Sequence, residues 1–251
     1  MAGHTFVIGE AASTHDGDLK KALALIDQVA NAGCDAVKFQ FWSDAEKLAQ
    51  RRKAPQYLES YLKYRMPRNW LDVLAVYAEK AGVEFMVTSY YTEDLAIIAP
   101  YVLKFKIAGF ESQDRPFVEA HRPYNKQILA TISMGGSKIE RATNLYSLQA
   151  YPPEADQLNL ACIRHFDGFS DNGTKSPIVA ALAVAYGAQY IEVHTTLDST
   201  DPENPDASVG CNGPLLRKYV RYIRSAEKLS GNDIPKLQPC EEMMTKYQVK
   251  S

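Results

Sequence analysis

The chain has 251 residues, 46% of them apolar, and a formal net charge of −2. That length suits one barrel-sized domain with a core large enough to need no disulfide or metal staple. The near-neutral charge removes the electrostatic case for nucleic acid or an anionic membrane surface as partner.

Strands and helical patterns alternate along the chain, which predicts a parallel sheet covered by helices, a (β/α)8 TIM barrel in one domain over 1–251. TFVIGE reads as the first strand, and DLKKALALIDQVANAG as a helix closed by Gly33. The strand opens within a few residues of Met1, so no secretory leader is expected, and no stretch approaches the roughly 18 apolar residues of a membrane span. A cytoplasmic protein is expected. DAVKFQF is the second strand, followed by a polar excursion from Asp44 to Tyr64. RNWLDVLAVYAEKAG (helix), VEFMVTSYY (third strand), TEDLAIIAPY (short helix) and VLKFKIAG (fourth strand) come next. RPFVEAHRPY is helical and QILATIS is the fifth strand. Met134 to Tyr146 is too short for two loops and a full helix, since a crossover with its helix takes at least about 10 to 12 residues. NLYSLQ therefore reads as the sixth strand, after a shortened helix of about a turn around Lys138 to Ala142. PEADQLNLACIRHF is expected as a helix, DGFSDN as the seventh strand and SPIVAALAVAYGA as a helix. QYIEVHTTLD is the eighth strand and GPLLRKYVRYIRSAEKLSG the closing helix. From about 232 the polar tail is expected as an extended arm. Cys34, Cys162, Cys211 and Cys240 form no CxxC pair, which argues against a zinc site or disulfide framework.

Strand ends carry the chemistry of such a barrel, because they converge on one mouth. Lys38 and Lys106 each sit in an otherwise apolar strand, and a buried ammonium needs an anion. That anion is either a phosphate or carboxylate ligand or an internal partner among Glu10, Glu111 and Glu192. Thr88, Ser89 and Thr131 end strands and can donate hydroxyl hydrogen bonds to the same anion. His194 closes IEVH, where it suits a metal ligand or an acid or base near neutral pH, or a structural histidine. Ser170, Asp171 and Asn172 end the seventh strand as an acid and an amide or as a turn signal. His15 lies in an Asp-Gly turn, and His4, His121 and His165 have no site placement.

Taken together, these segments resemble the sialic acid synthase family. GEAASTHDGDLKKALALIDQVANAGCDAVKFQ is similar to the family's AEIGxNHxGxxxxAxxxIxxAxxAGADAVKFQ. EFMVTSYY resembles (L/I)STPF, KFKIAG resembles YKIASG, and ILATISM resembles ILSTGM. GFSDN resembles GYSDH, YIEVHTTLD resembles xIEKHFTLD, and NPD at Asn204 to Asp206 resembles PGPD. The resemblance implies a transferase that condenses phosphoenolpyruvate with an aldose of the N-acylmannosamine kind, giving a 2-keto-3-deoxy sugar acid and phosphate. It implies Lys38 and Lys106 on the phosphoenolpyruvate phosphate and carboxylate with Thr131 beside them, Glu10 and Gln40 at the reacting end, and Glu111, Tyr151 and Asp206 toward the sugar. It also implies a divalent metal, Mn2+ or Mg2+, with His194 as one ligand.

Departures from the family pattern are specific. Asn172 stands in place of the second metal histidine, so the metal set becomes His194 and Asn172 and favours a weakly held ion. Gly109 replaces a phosphate-binding serine, and Gln149 an asparagine. The family's C-terminal antifreeze-like domain is not matched, so a homodimer without domain swapping is expected. Two other readings stay open: an aldolase or lyase in which Lys106 or Lys38 forms a Schiff base with a 2-keto acid, and a non-catalytic barrel that binds a sugar acid.

Overall fold

The computed structural model describes residues 3–231 and 235–249. Eight parallel strands close into a barrel in sequence order: β1 (Phe6–Ala12), β2 (Ala36–Gln40), β3 (Glu84–Thr88), β4 (Lys104–Ile107), β5 (Gln127–Ile132), β6 (Thr143–Tyr146), β7 (Gly168–Asp171) and β8 (Tyr190–His194). The helices are α1 (Leu19–Ala32), α2 (Ala45–Arg51), α3 (Leu58–Lys63), α4 (Trp70–Ala81), α5 (Thr92–Ile98), α6 (Arg115–Ala120), α7 (Pro177–Ala185) and α8 (Gly213–Ser230). Among the described residues no helix is long and apolar enough to cross a membrane.

Local signals account for the regular units. Asp18 caps α1 by accepting from the Lys20 backbone N–H, and Ala22, Leu25, Ile26 and Val29 fall on one buried face at helical spacing. Gly33 ends the helix at φ 82°, a left-handed position that suits glycine. The chain can then re-enter the sheet as β2 without strain.

Two apolar layers result. One lies between strands and helices and includes Val7, Val37, Phe39, Phe105, Phe169 and Ile191. The other fills the barrel lumen with Ile8, Ala36, Met86, Leu129 and Leu145. Alternation along each strand puts the next inward residues one layer nearer the C-terminal mouth. They are polar: Glu10, Lys38, Thr88, Lys106, Thr131, Ser170, Glu192 and His194, all buried. Pairing register sets their neighbours, with Glu10 opposite both Lys38 and His194, Thr88 opposite Lys106, and Ser170 opposite Glu192.

Four expectations are corrected by the structure. The excursion from Asp44 to Tyr64 is not merely a polar loop: it folds as α2, a 3-10 turn at Pro55–Tyr57 and α3. Leu48 and Ala45 of α2 pack with Trp42, Tyr90 and Tyr91 into a small core of their own. Between β5 and β6 the helix is lost altogether rather than shortened. Asn144 knots this connection instead, accepting from Ile139 N at 2.8 Å and donating to the Ile139 and Ala142 carbonyls. The segment expected as a helix before β7 is two 3-10 turns, Ala155–Gln157 and Leu160–His165, with Asn159 between them at φ 43°. A left-handed residue at that point interrupts any continuous α-helix. The tail holds a 3-10 segment at Pro239–Tyr247, so it is not wholly extended; residues 232–234 and 250–251 lie outside the described residues.

Candidate active site

The strand ends surround a cavity of about 790 Å3 at the C-terminal mouth of the barrel, within the usual range for small-molecule sites. A run of four charges crosses its floor. The Lys38 ammonium lies 2.5 Å from Glu10 Oε2 and 3.5 Å from Glu192 Oε2, and Lys106 lies 3.4 Å from Glu192 Oε1. Hydroxyls complete the run: Lys38 donates to Thr88 Oγ1 at 3.0 Å, Lys106 to Thr131 Oγ1 at 2.7 Å, and Ser170 Oγ to Glu192 Oε1 at 3.0 Å. Gln40 donates to Glu10 Oε1 at 3.4 Å. The lysines thus have internal partners in Glu10 and Glu192, not in Glu111. Both still line the cavity.

Burial sets the charges along this run. It pushes the Glu10 carboxyl up, a push that Glu192 reinforces and Lys38 opposes. Lys38 is also buried, but Glu10 and Glu192 outweigh that and hold its proton on. Glu192 resists burial because Lys106 and then Lys38 draw it down, to about 2. Lys106 is lowered by burial despite its contact with Glu192. The floor is therefore a lysine pair sharing one firmly ionised carboxylate, flanked by a second carboxyl that readily accepts a proton.

The outer half of the cavity is built from loops. Arg52, just past α2, places Nε and Nη2 3.1 and 3.0 Å from Glu111 Oε1. Its guanidinium lies over the Tyr90 and Phe110 rings, 4.4 and 5.3 Å from their centroids. Glu111 Oε2 is buried without a hydrogen-bond partner, which leaves it free to accept from a ligand. Gln149 donates to the Tyr151 hydroxyl at 2.8 Å and accepts from Ser133 Oγ at 3.2 Å. That arrangement depends on Gly109, since a β-carbon there would stand 2.4 Å from Gln149 Oε1. The Tyr151 ring meets the His194 ring edge-on with centroids 6.0 Å apart.

Residues 25–235 match the NeuB family model over most of the chain. The chain belongs to the NeuB family. This NeuB-family protein is 28% identical to N,N'-diacetyllegionaminic acid synthase of Campylobacter jejuni, over 95% of this chain and 81% of that one. It is 25% identical to human N-acetylneuraminate-9-phosphate synthase, over 94% and 74% of the two chains. The crystal structure of N-acetylneuraminic acid synthetase from Leptospira borgpetersenii superposes with a TM-score of 0.86 at 24% identity, covering 98% of this chain and 92% of that one, and so shares the fold. The NeuB-family protein is an enzyme of the sialic acid synthase type.

Of the side chains singled out in the sequence of this NeuB member, Glu10, Lys38, Gln40, Thr88, Lys106, Glu111, Thr131, Gln149, Tyr151, Ser170, Asn172, His194 and Asp206 all line the one cavity. Ser89 does not: β3 ends at Thr88, and the Ser89 hydroxyl is buried elsewhere with no partner. Arg52 escaped the sequence reading, and Glu192 entered it only as a partner. The signal for Arg52 was present in SDAEKLAQRR, where Asp44 caps α2 and Ala45, Leu48 and Ala49 share one face.

The metal expectation can be tested on donor atoms. His194 Nδ1 is buried, has no hydrogen-bond partner and lies 3.8 Å from Asp206 Oδ1. Asn172 spends its amide N–H on the Leu148 carbonyl at 2.5 Å, which leaves its carbonyl oxygen as the remaining acceptor. Among the described residues no three His, Cys, Asp or Glu side chains cluster as a metal site. The donors fit one labile, oxygen-preferring divalent ion that takes its other ligands from water and substrate. They do not fit a permanent zinc centre, which needs three or four strong protein ligands.

Proposed function

We propose that this NeuB-family enzyme condenses phosphoenolpyruvate with an aldose, of the N-acylmannosamine kind or a related amino sugar, to give a 2-keto-3-deoxy sugar acid and phosphate. The observation that carries the reading is the Glu10, Lys38, Glu192, Lys106 run with Thr88 and Thr131 on its ammonium groups. Two lysines against one firmly ionised carboxylate keep positive charge for the phosphate and carboxylate of the substrate. The enol C3 forms a bond to the aldehyde carbon, and water adds at C2 as positive character develops there. Glu10 accepts the proton of that water, for which its raised affinity suits it. Loss of phosphate from C2, with the C2 hydroxyl proton passing to the leaving phosphate, then gives the ketone, and the other water proton ends on the former aldehyde oxygen as its hydroxyl. Glu111, fixed by Arg52, and Tyr151, fixed by Gln149, orient the acceptor. His194 would hold the divalent ion, which when bound would supply a Lewis acid for the aldehyde oxygen.

Phosphate release from phosphoenolpyruvate, screened against a panel of aldoses with and without manganese, tests the reading. Release with at least one acyl-amino sugar is expected, and Lys106→Ala should weaken phosphoenolpyruvate binding at least tenfold while the melting temperature moves little. No release with any aldose, or unchanged binding with a large loss of stability, overturns it. The lowered affinity of buried Lys106 for its proton also suits a Schiff-base lysine. A covalent adduct after borohydride treatment with pyruvate would move the assignment to that chemistry.

A further inference from the structure

We propose that Asp206 is a direct ligand of the divalent ion, paired with His194 across the mouth, and that Asn172 is not the second protein ligand. The inference rests on the reading of this mouth as a metal-assisted synthase site. Two ligand atoms each about 2.1 Å from an ion stand about 3.0 Å apart at a right angle and about 4.2 Å apart when opposed. His194 Nδ1 and Asp206 Oδ1 are 3.8 Å apart, inside that span and too far for a hydrogen bond with each other. His194 is 6% exposed and its Nδ1 has no other partner, an orphan donor atom in a cavity wall.

The loop carrying Asp206 is held in the manner of a ligand loop. Asn204 is 2% exposed, accepts from the Asp206 backbone N–H at 3.1 Å, and donates to the Ser13 carbonyl and Asp16 carboxylate. Ser13 Oγ donates to Asp206 Oδ2 at 3.3 Å and leaves Oδ1 toward His194. Hydrogen bonding of the second carboxylate oxygen is how ligating carboxylates are oriented. Asn172, in contrast, is anchored to the Leu148 carbonyl and offers only a neutral oxygen. A carboxylate is the charged oxygen ligand that suits Mg2+ and Mn2+.

The test is a titration of the purified protein, without phosphoenolpyruvate, against manganese, following the electron paramagnetic resonance signal of the free ion. Asp206→Asn and His194→Ala should each lose at least tenfold in affinity, Asp206→Glu should keep most of it, and Asn172→Ala should stay within about threefold. Circular dichroism melts on every variant separate ligand loss from unfolding. Wild-type affinity in a folded Asp206→Asn, a large loss in Asn172→Ala, or no manganese bound by the wild-type protein at millimolar concentration overturns the proposal. Because no substrate is present, manganese binding without phosphate release would leave this inference standing while the proposed reaction falls.

Discussion

At the scale of single residues, Gly109 and Gln149 act as one unit. A serine at 109 would drive its β-carbon against Gln149 Oε1, at 2.4 Å, and Ser133 Oγ, at 2.7 Å. Gln149 can swing away only by breaking its bonds to Ser133 and Tyr151. Gly109→Ser is therefore expected to cost about 1–2 kcal/mol, the worth of one or two hydrogen bonds. Combining it with Gln149→Asn, which shortens the side chain, should recover most of that loss. Urea unfolding of the two single variants and the double variant checks it, and additive losses would show that the two positions are independent. Residue identity made the floor of the site legible: a lysine inside an apolar strand, as at Lys38 and Lys106, is too costly to be incidental. It did not reveal which carboxylates those lysines choose. Partner choice depends on the stagger of the barrel, which brings Glu192 between them while Glu111 turns to Arg52.

Among the elements, α2 and α3 form the least expected part of the fold and bear on the acceptor half of the cavity. Leu48 is fully buried among Trp42, Ala45, Tyr90 and Tyr91, and Arg52 leaves the end of the same helix to hold Glu111. Leu48→Ala should cost about 2–4 kcal/mol within this small core. The expected kinetic signature is a higher KM for the acceptor sugar with phosphoenolpyruvate affinity unchanged within about twofold. Equal losses for both substrates would mean that the loop also supports the floor. Periodicity found the long helices because each buries one stripe against the sheet, as α1 does with Ala22, Leu25, Ile26 and Val29. Seven-residue α2 and six-residue α3 are too short for a stripe to stand out from a polar loop. The missing helix before β6 was half legible: chain length excluded a full one, but only the Asn144 hydrogen bonds show what replaces it.

For the whole molecule, buried titratable groups set the response to acid. His15 is fully buried, its Nδ1 accepts from Gly17 N, and burial lowers it from 6.5 to about 4, with Asp16 opposing. The unfolded chain takes up this proton first, so the stabilising contribution is complete above pH 6.5 and is lost as pH falls toward about 4. Its full size is about 3 kcal/mol at 1.36 kcal/mol per unit. Glu192, drawn down to about 2, adds a second loss below about 4.5. Thermal melts between pH 7 and 4 should show falling stability, and His15→Asn, which keeps an acceptor for Gly17, should flatten the upper part. An unchanged slope would place the acid sensitivity elsewhere, with His121, also lowered by burial, as the next group to replace.

The charged floor has one more consequence. Glu10 binds its proton more tightly than an ordinary carboxyl and Lys106 less tightly than an ordinary amine, both chiefly through burial. A multiply charged anion settling beside Lys106 raises that lowered affinity again, so ligand entry draws a proton in from the solvent. Occupancy of the barrel and its degree of protonation then rise together. The heat of phosphoenolpyruvate binding should accordingly vary with the ionisation enthalpy of the buffer, in the sense of net uptake, and affinity should weaken as pH rises above neutrality. Identical heats in Pipes and Tris buffers would mean that the floor is already fully protonated before the ligand arrives.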